Sequence, residues 1–162
     1  MKMSSQVKGA NDRITLALIG GRNQGRHVAR RTIEAGGRFK TFCDIDSAIA
    51  AQSSPELEKQ QGAKIAYEKD FRRVLDRKDI DAVVIAPPDH WHSHMSLLAL
   101  AAGKDCYIEK PLSQTIREGQ MIRDATRKYK RIVQVGTQRR SGEHFQQAAA
   151  YGAIAAAFRG LV

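Results

Sequence analysis

Cysteine, proline and tryptophan are scarce in this sequence of 162 residues, which holds two, four and one of them. Two cysteines exclude a disulfide-stapled scaffold. Cys43 and Cys106 each lie inside an apolar run, as buried thiols of a reducing compartment do, and neither reads as half of a metal site. No apolar run approaches the roughly 20 residues needed to cross a bilayer, so no membrane partner is expected. The polar segment 1–13 lacks the apolar core of a secretory signal and reads as a disordered leader, with the cytoplasm as the expected location. Acidic residues are short as well: 27 Lys and Arg against 17 Asp and Glu leave a net charge of +10. A surplus of that sign raises nucleic acid as a partner. The basic residues are scattered, however, over Arg26, Arg30 and Arg31, then Arg72, Arg73, Arg77 and Lys78, then Arg127, Lys128, Lys130 and Arg131. No interleaved aromatics accompany them, which disfavours nucleic acid; small phosphate-bearing ligands and solubility explain the charge as well.

What is present is a globular composition, 42% apolar and 27% charged, long enough for one well-buried domain. The chain is organised around residues 14–25. An apolar run of strand length stops at Gly20, turns through Gly21-Arg22-Asn23-Gln24 and reaches Gly25, where helical character begins. Strand, tight glycine turn and helix make the first unit of a dinucleotide-binding fold, because the helix N-terminus offers free backbone N–H groups to a pyrophosphate. Against the G-x-G-x-x-G pattern, Gly20 and Gly25 match and Arg22 occupies the middle glycine position. Taken alone, the loop reads equally as an ordinary strand-to-helix turn.

A second strand, 39–43, ends at Asp44-Ile45-Asp46. Asp44 lies 19 residues beyond Gly25, near the spacing of about 20 at which a carboxylate takes the ribose hydroxyls and repels a 2′-phosphate, favouring NAD while leaving NADP open. The alternative is a helix N-cap, a job that suits Asp46. Residues 47–61 read as a helix broken near Pro55, 64–67 as a third strand, and 70–75 as a short helix capped by Asp70. The unalternating run 81–86 is a buried parallel strand that stops at Pro87-Pro88. A helix over 92–102, a strand over 105–108, a helix over 115–130 and a sixth strand over 131–135 follow. In the 115–130 helix, Ile116, Met121, Ile122 and Ala125 are expected to face inward. The fold class is therefore α/β: a doubly wound, Rossmann-like parallel sheet of about six strands, with its ligand crevice at the strand C-terminal ends. The alanine-rich end, 143–162, reads as a helix interrupted at Gly152 with a final fragment from Phe158. No internal repeat or inter-domain linker is visible.

Two clusters lie at crevice-side strand ends. In Asp89-His90-Trp91-His92-Ser93-His94, three alternating histidines beside an aspartate invite a metal reading. The segment should turn into a helix, where i and i+2 diverge, so no metal site is expected. In Glu109-Lys110-Pro111, the lysine is suited to hold or exchange a substrate hydroxyl proton, with the carboxylate positioning it.

Three ordered motifs now carry a family resemblance. Residues 86–92 (Ala-Pro-Pro-Asp-His-Trp-His), 103–113 from Gly103-Lys104-Asp105 into Glu109-Lys110-Pro111-Leu112-Ser113, and 133–141 (Val-Gln-Val-Gly-Thr-Gln-Arg-Arg-Ser) resemble the glucose-fructose oxidoreductase/inositol dehydrogenase (Gfo/Idh/MocA) family. The resemblance spans about 14–147. It implies an NAD- or NADP-binding N-terminal Rossmann domain and hydride transfer to or from a sugar, inositol or related polyol. It places Gly20, Arg22, Asn23, Gln24 and Gly25 in the phosphate loop and Asp44 at the ribose. Pro88 and His92 match the loop on the nicotinamide side, where Pro87 is also expected to line the cofactor, and Glu109, Lys110 and Pro111 the family's E-K-P. Gln138 matches a nicotinamide-end contact; Lys110 and His92 are the expected catalytic groups. Two positions depart from the pattern, Arg22 at the middle glycine and Pro87 where threonine is frequent. The family's second domain, an open antiparallel sheet that supplies much of the substrate site, is not visible in 148–162. The expectation is thus a truncated cofactor-binding domain, inactive by itself and lacking its substrate domain, with a homodimer through exposed apolar surface as a further partner. The alternative is a stand-alone, non-enzymatic nucleotide-binding or self-assembling module.

Overall fold

The computed structural model describes residues 13–159. The leader expected over 1–13 therefore lies outside the described residues except for Arg13, and so do 160–162 of the expected last fragment. Six parallel strands run through the molecule: β1 (Thr15–Ile19), β2 (Arg38–Cys43), β3 (Ala66–Glu68), β4 (Ala82–Ile85), β5 (Asp105–Glu109) and β6 (Val133–Gly136). Their spatial order is β3-β2-β1-β4-β5-β6. This is the doubly wound order, reversing direction between β1 and β4. Between them lie α1 (Asn23–Glu34), α2 (Ser47–Gln61), α3 (Phe71–Leu75), α4 (His92–Ala101) and α5 (Ile116–Tyr129), with α6 (Glu143–Arg159) last.

The central strands are apolar on both faces because both faces are covered. Leu16, Leu18, Phe39, Phe42 and Val84 pack beneath α1 and α2, together with Val28, Ala29, Ala50 and Leu57. Ala17, Ile19, Val83, Ile85 and Ile108 pack on the other face with Val74, Met95, Ala99, Leu100 and Ile122. Phe39 and Phe42 are almost wholly buried, worth about 1.5–3 kcal/mol each relative to exposure. The register levels the strand ends. Ile19 pairs with Cys43 on one side and Ile85 on the other, and Ile85 pairs with Ile108. Gly20, Asp44, Ala86 and Glu109 consequently share one edge.

Three expectations about helices are corrected. Pro55 does not break α2, which runs unbroken through it. Pro55 and Ala51, whose carbonyl the proline leaves unpaired, are both exposed, so water can satisfy that group. Gly152 does not interrupt α6; a single glycine costs a helix only about 1 kcal/mol. In α5, Ile122 is buried and Ala125 packs against the core, but Ile116 and Met121 are 84% and 44% exposed. α5 is long and charged, and only a narrow stripe of it meets α4 and the sheet. The expected boundary at 147/148 falls within α6, whose described side chains from Glu143 to Gly152 are all exposed. Among the described residues that helix contacts the 3-10 turn Gln138–Ser141.

Candidate functional site

The strand order reverses between β1 and β4, and α1 begins just beyond the end of β1, at the switch point where sheets of this order take their ligands in a crevice. Gly20 leaves β1 with φ +86°, a conformation that disfavours side chains, and a Cβ there would stand 2.5 Å from the Pro87 nitrogen. A Cβ at Gly21 would enter the Phe42 ring, and one at Gly25 would overlap the Gly20 carbonyl oxygen. The loop is closed so tightly on β1, β2 and β4 that three glycines are needed. Sequence reasoning found Gly20 and Gly25 but passed over Gly21, whose requirement comes from Phe42 on the neighbouring strand.

α1 has no side-chain cap and no acidic residue in its first turn. By contrast, α2, α3 and α5 are capped by Asp46, Asp70 and Thr115. The first N–H groups of α1, around Asn23, Gln24 and Gly25, are thus left for an anion, and the helix dipole favours one.

On the β2 side the two aspartates divide their work. Asp46 caps α2, accepting from the Ala48 N–H at 3.0 Å. Asp44 Oδ2 accepts from the Gly21 N–H at 2.9 Å and Oδ1 from the Asp46 N–H at 3.0 Å, which aims the carboxylate at the loop. The Arg22 guanidinium does not stand free for a phosphate. It pairs with Asp46 at 3.0 Å and is largely exposed. Tyr67 on β3 donates its hydroxyl to the Asp44 carbonyl at 2.9 Å, pinning the same turn.

On the β4–β5 side, His92 is 2% exposed. Its Nδ1 lies 2.6 Å from the Pro111 carbonyl oxygen and its Nε2 3.0 Å from that of Pro87. The ring sits between the two proline-bearing crevice loops, each offering it a carbonyl acceptor, an arrangement that positions backbone. Pro88 precedes the 3-10 turn Asp89–Trp91. The neighbouring histidines diverge from His92: His94 packs edge-on against Phe71 and Trp91, and His90 stands beside Asp89. Among the described residues no group of three His, Cys, Asp or Glu side chains is placed to hold a metal ion. Trp91 is 43% exposed at this edge.

Glu109, only 4% exposed, ends β5. Its Oε1 accepts from Gln24 Nε2 at 3.1 Å and the Tyr107 hydroxyl at 3.2 Å, and its Oε2 from the Lys110 N–H at 3.2 Å. The carboxylate therefore ties the first turn of α1 to the backbone of Lys110, whose side chain is exposed. Burial, followed by the charge of Glu109, pushes the Tyr107 phenol up to about 12, so it stays a donor. Gly136, paired with Glu109 across β5 and β6, leaves the necessary space: a Cβ there would stand 2.7 Å from Oε1. Tyr107 was missed in the sequence, although residues i and i+2 of a strand share a face. Gln138 lies beyond β6, exposed at the start of its 3-10 turn.

The glycine cradle and the uncapped helix fit a nicotinamide dinucleotide, and the comparisons agree. The model of an oxidoreductase family with an NAD-binding Rossmann fold, GFO_IDH_MocA, matches residues 14–137. The glycosyl hydrolase family 109 protein 2 of Shewanella sp. (strain ANA-3) is 35% identical over 115 residues, 66% of this chain and 25% of its own. The alpha-N-acetylgalactosaminidase of Shewanella oneidensis is 31% identical over 102 residues, 60% of this chain and 22% of its own. Myo-inositol 2-dehydrogenase from Lactobacillus plantarum has a TM-score of 0.74 and 25% identity, covering 84% of this chain and 40% of that one. Myo-inositol dehydrogenase from Lactobacillus casei, solved with NAD(H) and myo-inositol, gives 0.72 and 25%, over 81% and 38%. The chain spans about a quarter of the length of the curated relatives it matches.

Proposed function

The chain belongs to the Gfo/Idh/MocA oxidoreductase family, and from that membership we propose that residues 14–147 form the cofactor half of an enzyme acting on a sugar, inositol or related polyol. The cofactor is NAD in preference to NADP. The observation that carries this reading is the pairing of an uncapped α1 over a three-glycine cradle with the Asp44 carboxylate at the adjoining strand end. The free N–H groups receive the pyrophosphate, and Asp44 receives ribose hydroxyls while repelling a 2′-phosphate.

The bound nicotinamide supplies hydride chemistry. The protein's own contribution is positional. Glu109 fixes the backbone of Lys110, and His92 holds the loops that carry Pro87 and Pro111 at a set separation. Lys110, exposed at the crevice edge, holds or exchanges the proton of a substrate hydroxyl. Relatives named for N-acetylgalactosaminide hydrolysis and for inositol oxidation both take polyhydroxylated rings, which supports that substrate class. The substrate-facing half of the site comes from a second domain in this reading, and residues 14–162 alone bind cofactor without turnover.

A second reading is favoured by α6. This alanine-rich helix leaves its described side chains exposed, Phe145 and Tyr151 among them, which suits a self-assembling nucleotide-binding module.

Calorimetric titration with NADH and NADPH tests the main reading. Saturable binding that prefers NADH, and that weakens about tenfold or more in Asp44→Ala through the lost ribose contact, is expected. Equal affinity for the two nucleotides, untouched by Asp44→Ala, refutes it.

A further inference from the structure

Among the described residues Glu109 makes no salt bridge, although it is one of the most buried charged groups of the chain. Its three partners, Gln24, Tyr107 and the Lys110 N–H, are all neutral donors. By contrast, Asp46 and Asp70, half-buried, and Asp79, exposed, are each paired with an arginine. An acidic side chain with no cation beside it therefore lies buried at the crevice end of β5, where water screens it least. Gly136 holds the space it occupies.

The position of that charge matters because the crevice has two sides. Asp44 ends β2 on one side of the switch point, and Glu109 ends β5 on the other. A dinucleotide spanning the switch point with its adenosine over Asp44 lays its second half on the side of Glu109. In the oxidised cofactor that half carries a positive ring, and in the reduced cofactor a neutral one.

We infer that Glu109 selects the redox state of the bound cofactor, its buried charge favouring the oxidised nicotinamide over the reduced one. The inference rests on the dinucleotide-binding reading above. The molecule as a whole pulls in the opposite direction. Its net charge of +10 attracts the reduced dinucleotide more, since that form carries one more net negative charge. A preference for the oxidised ring must therefore be local, and Glu109 supplies the local anion.

The test is calorimetric titration of the full chain with NAD+ and NADH separately, before and after Glu109→Gln, which keeps the shape and removes the charge. The ratio of the NAD+ Kd to the NADH Kd is expected to rise about tenfold, or 1.4 kcal/mol, on top of any loss common to both from the amide that now faces a former donor. A loss shared equally by both nucleotides overturns the inference and leaves the dinucleotide reading standing. Failure of that reading shows earlier, as no saturable binding of either nucleotide to the unsubstituted chain. Should Glu109→Gln not fold, Tyr107→Phe decides. It keeps the charge and removes a hydroxyl dipole that partly neutralises it, so the ratio of affinities moves about twofold toward NAD+. No movement, or movement toward NADH, overturns the inference.

Discussion

At Gly25 the phosphate loop tolerates no side chain at all. A methyl group there would collide with the Gly20 carbonyl oxygen, a backbone atom that cannot step aside, and would approach Ala86 as well. Gly25→Ala is expected to destabilise the fold by about 2–4 kcal/mol, measured by urea unfolding. It should also abolish calorimetric binding of NADH under conditions where the protein remains folded. At this scale the sequence was readable where one local rule decides. Asp46 as the α2 cap follows from its place before a helix, and that assignment released Asp44 to face the loop. Arg22 was legible as a departure from the glycine pattern, but its partner was not, because the ion pair with Asp46 spans 24 residues. Gly21 escaped notice for the same reason, since its need for glycine lies in a ring on another strand.

α5 is the element whose local chemistry is most complete. Thr115 accepts from the Glu118 N–H at 3.2 Å, and the Glu118 carboxylate accepts in return from the Thr115 N–H at 3.1 Å. The backbone N–H groups of Thr115 and Gln114 hold the Glu118 carboxyl below its usual value. Thr115→Ala is expected to cost about 1 kcal/mol in a thermal or urea melt. Nucleotide affinity should change by less than about twofold, because Thr115 closes the far end of the loop that carries Pro111 and its hydroxyl is engaged with the Glu118 N–H. Helix interiors were less legible than this cap. Pro55 and Gly152 are local breakers that their helices absorb at exposed positions, and exposure is a property of the packed molecule. Ile116 and Met121 belong to an apolar periodicity broader than the stripe that α5 buries. Strand existence, in contrast, was plain from short runs of strand-forming residues, four of them stopped by Gly, Asp or Pro and two by Glu, and six runs alternating with helices implied the sheet.

Across the whole molecule, the same double cover that makes the strands apolar buries both thiols. Burial pushes Cys43 and Cys106 up from 9.0 to about 12. In the unfolded chain they lose their protons near 9, while the native state keeps them, so between about 9 and 12 the unfolded state binds fewer protons. Stability is therefore fully present below about pH 9 and falls as pH rises, by up to about 1.4 kcal/mol per thiol per pH unit. Urea midpoints between pH 8 and about 11 should show the decline, and Cys43→Ala with Cys106→Ala should remove its part below about pH 10, above which the raised Tyr107 phenol still contributes. What the sequence could not convey at this scale was convergence. The buried carboxylate of Glu109 owes its setting to Gln24 from α1, Tyr107 from its own strand and Gly136 from the next, three contributions with no shared local signature. Convergence at the crevice edge also has an optical side. Trp91, exposed there beside the loop of Pro87 and Pro88, is the chain's single tryptophan. Indole emission overlaps the absorption band of reduced nicotinamide and not that of the oxidised form, so the molecule carries its own fluorophore, one that reduced cofactor quenches by energy transfer and oxidised cofactor does not.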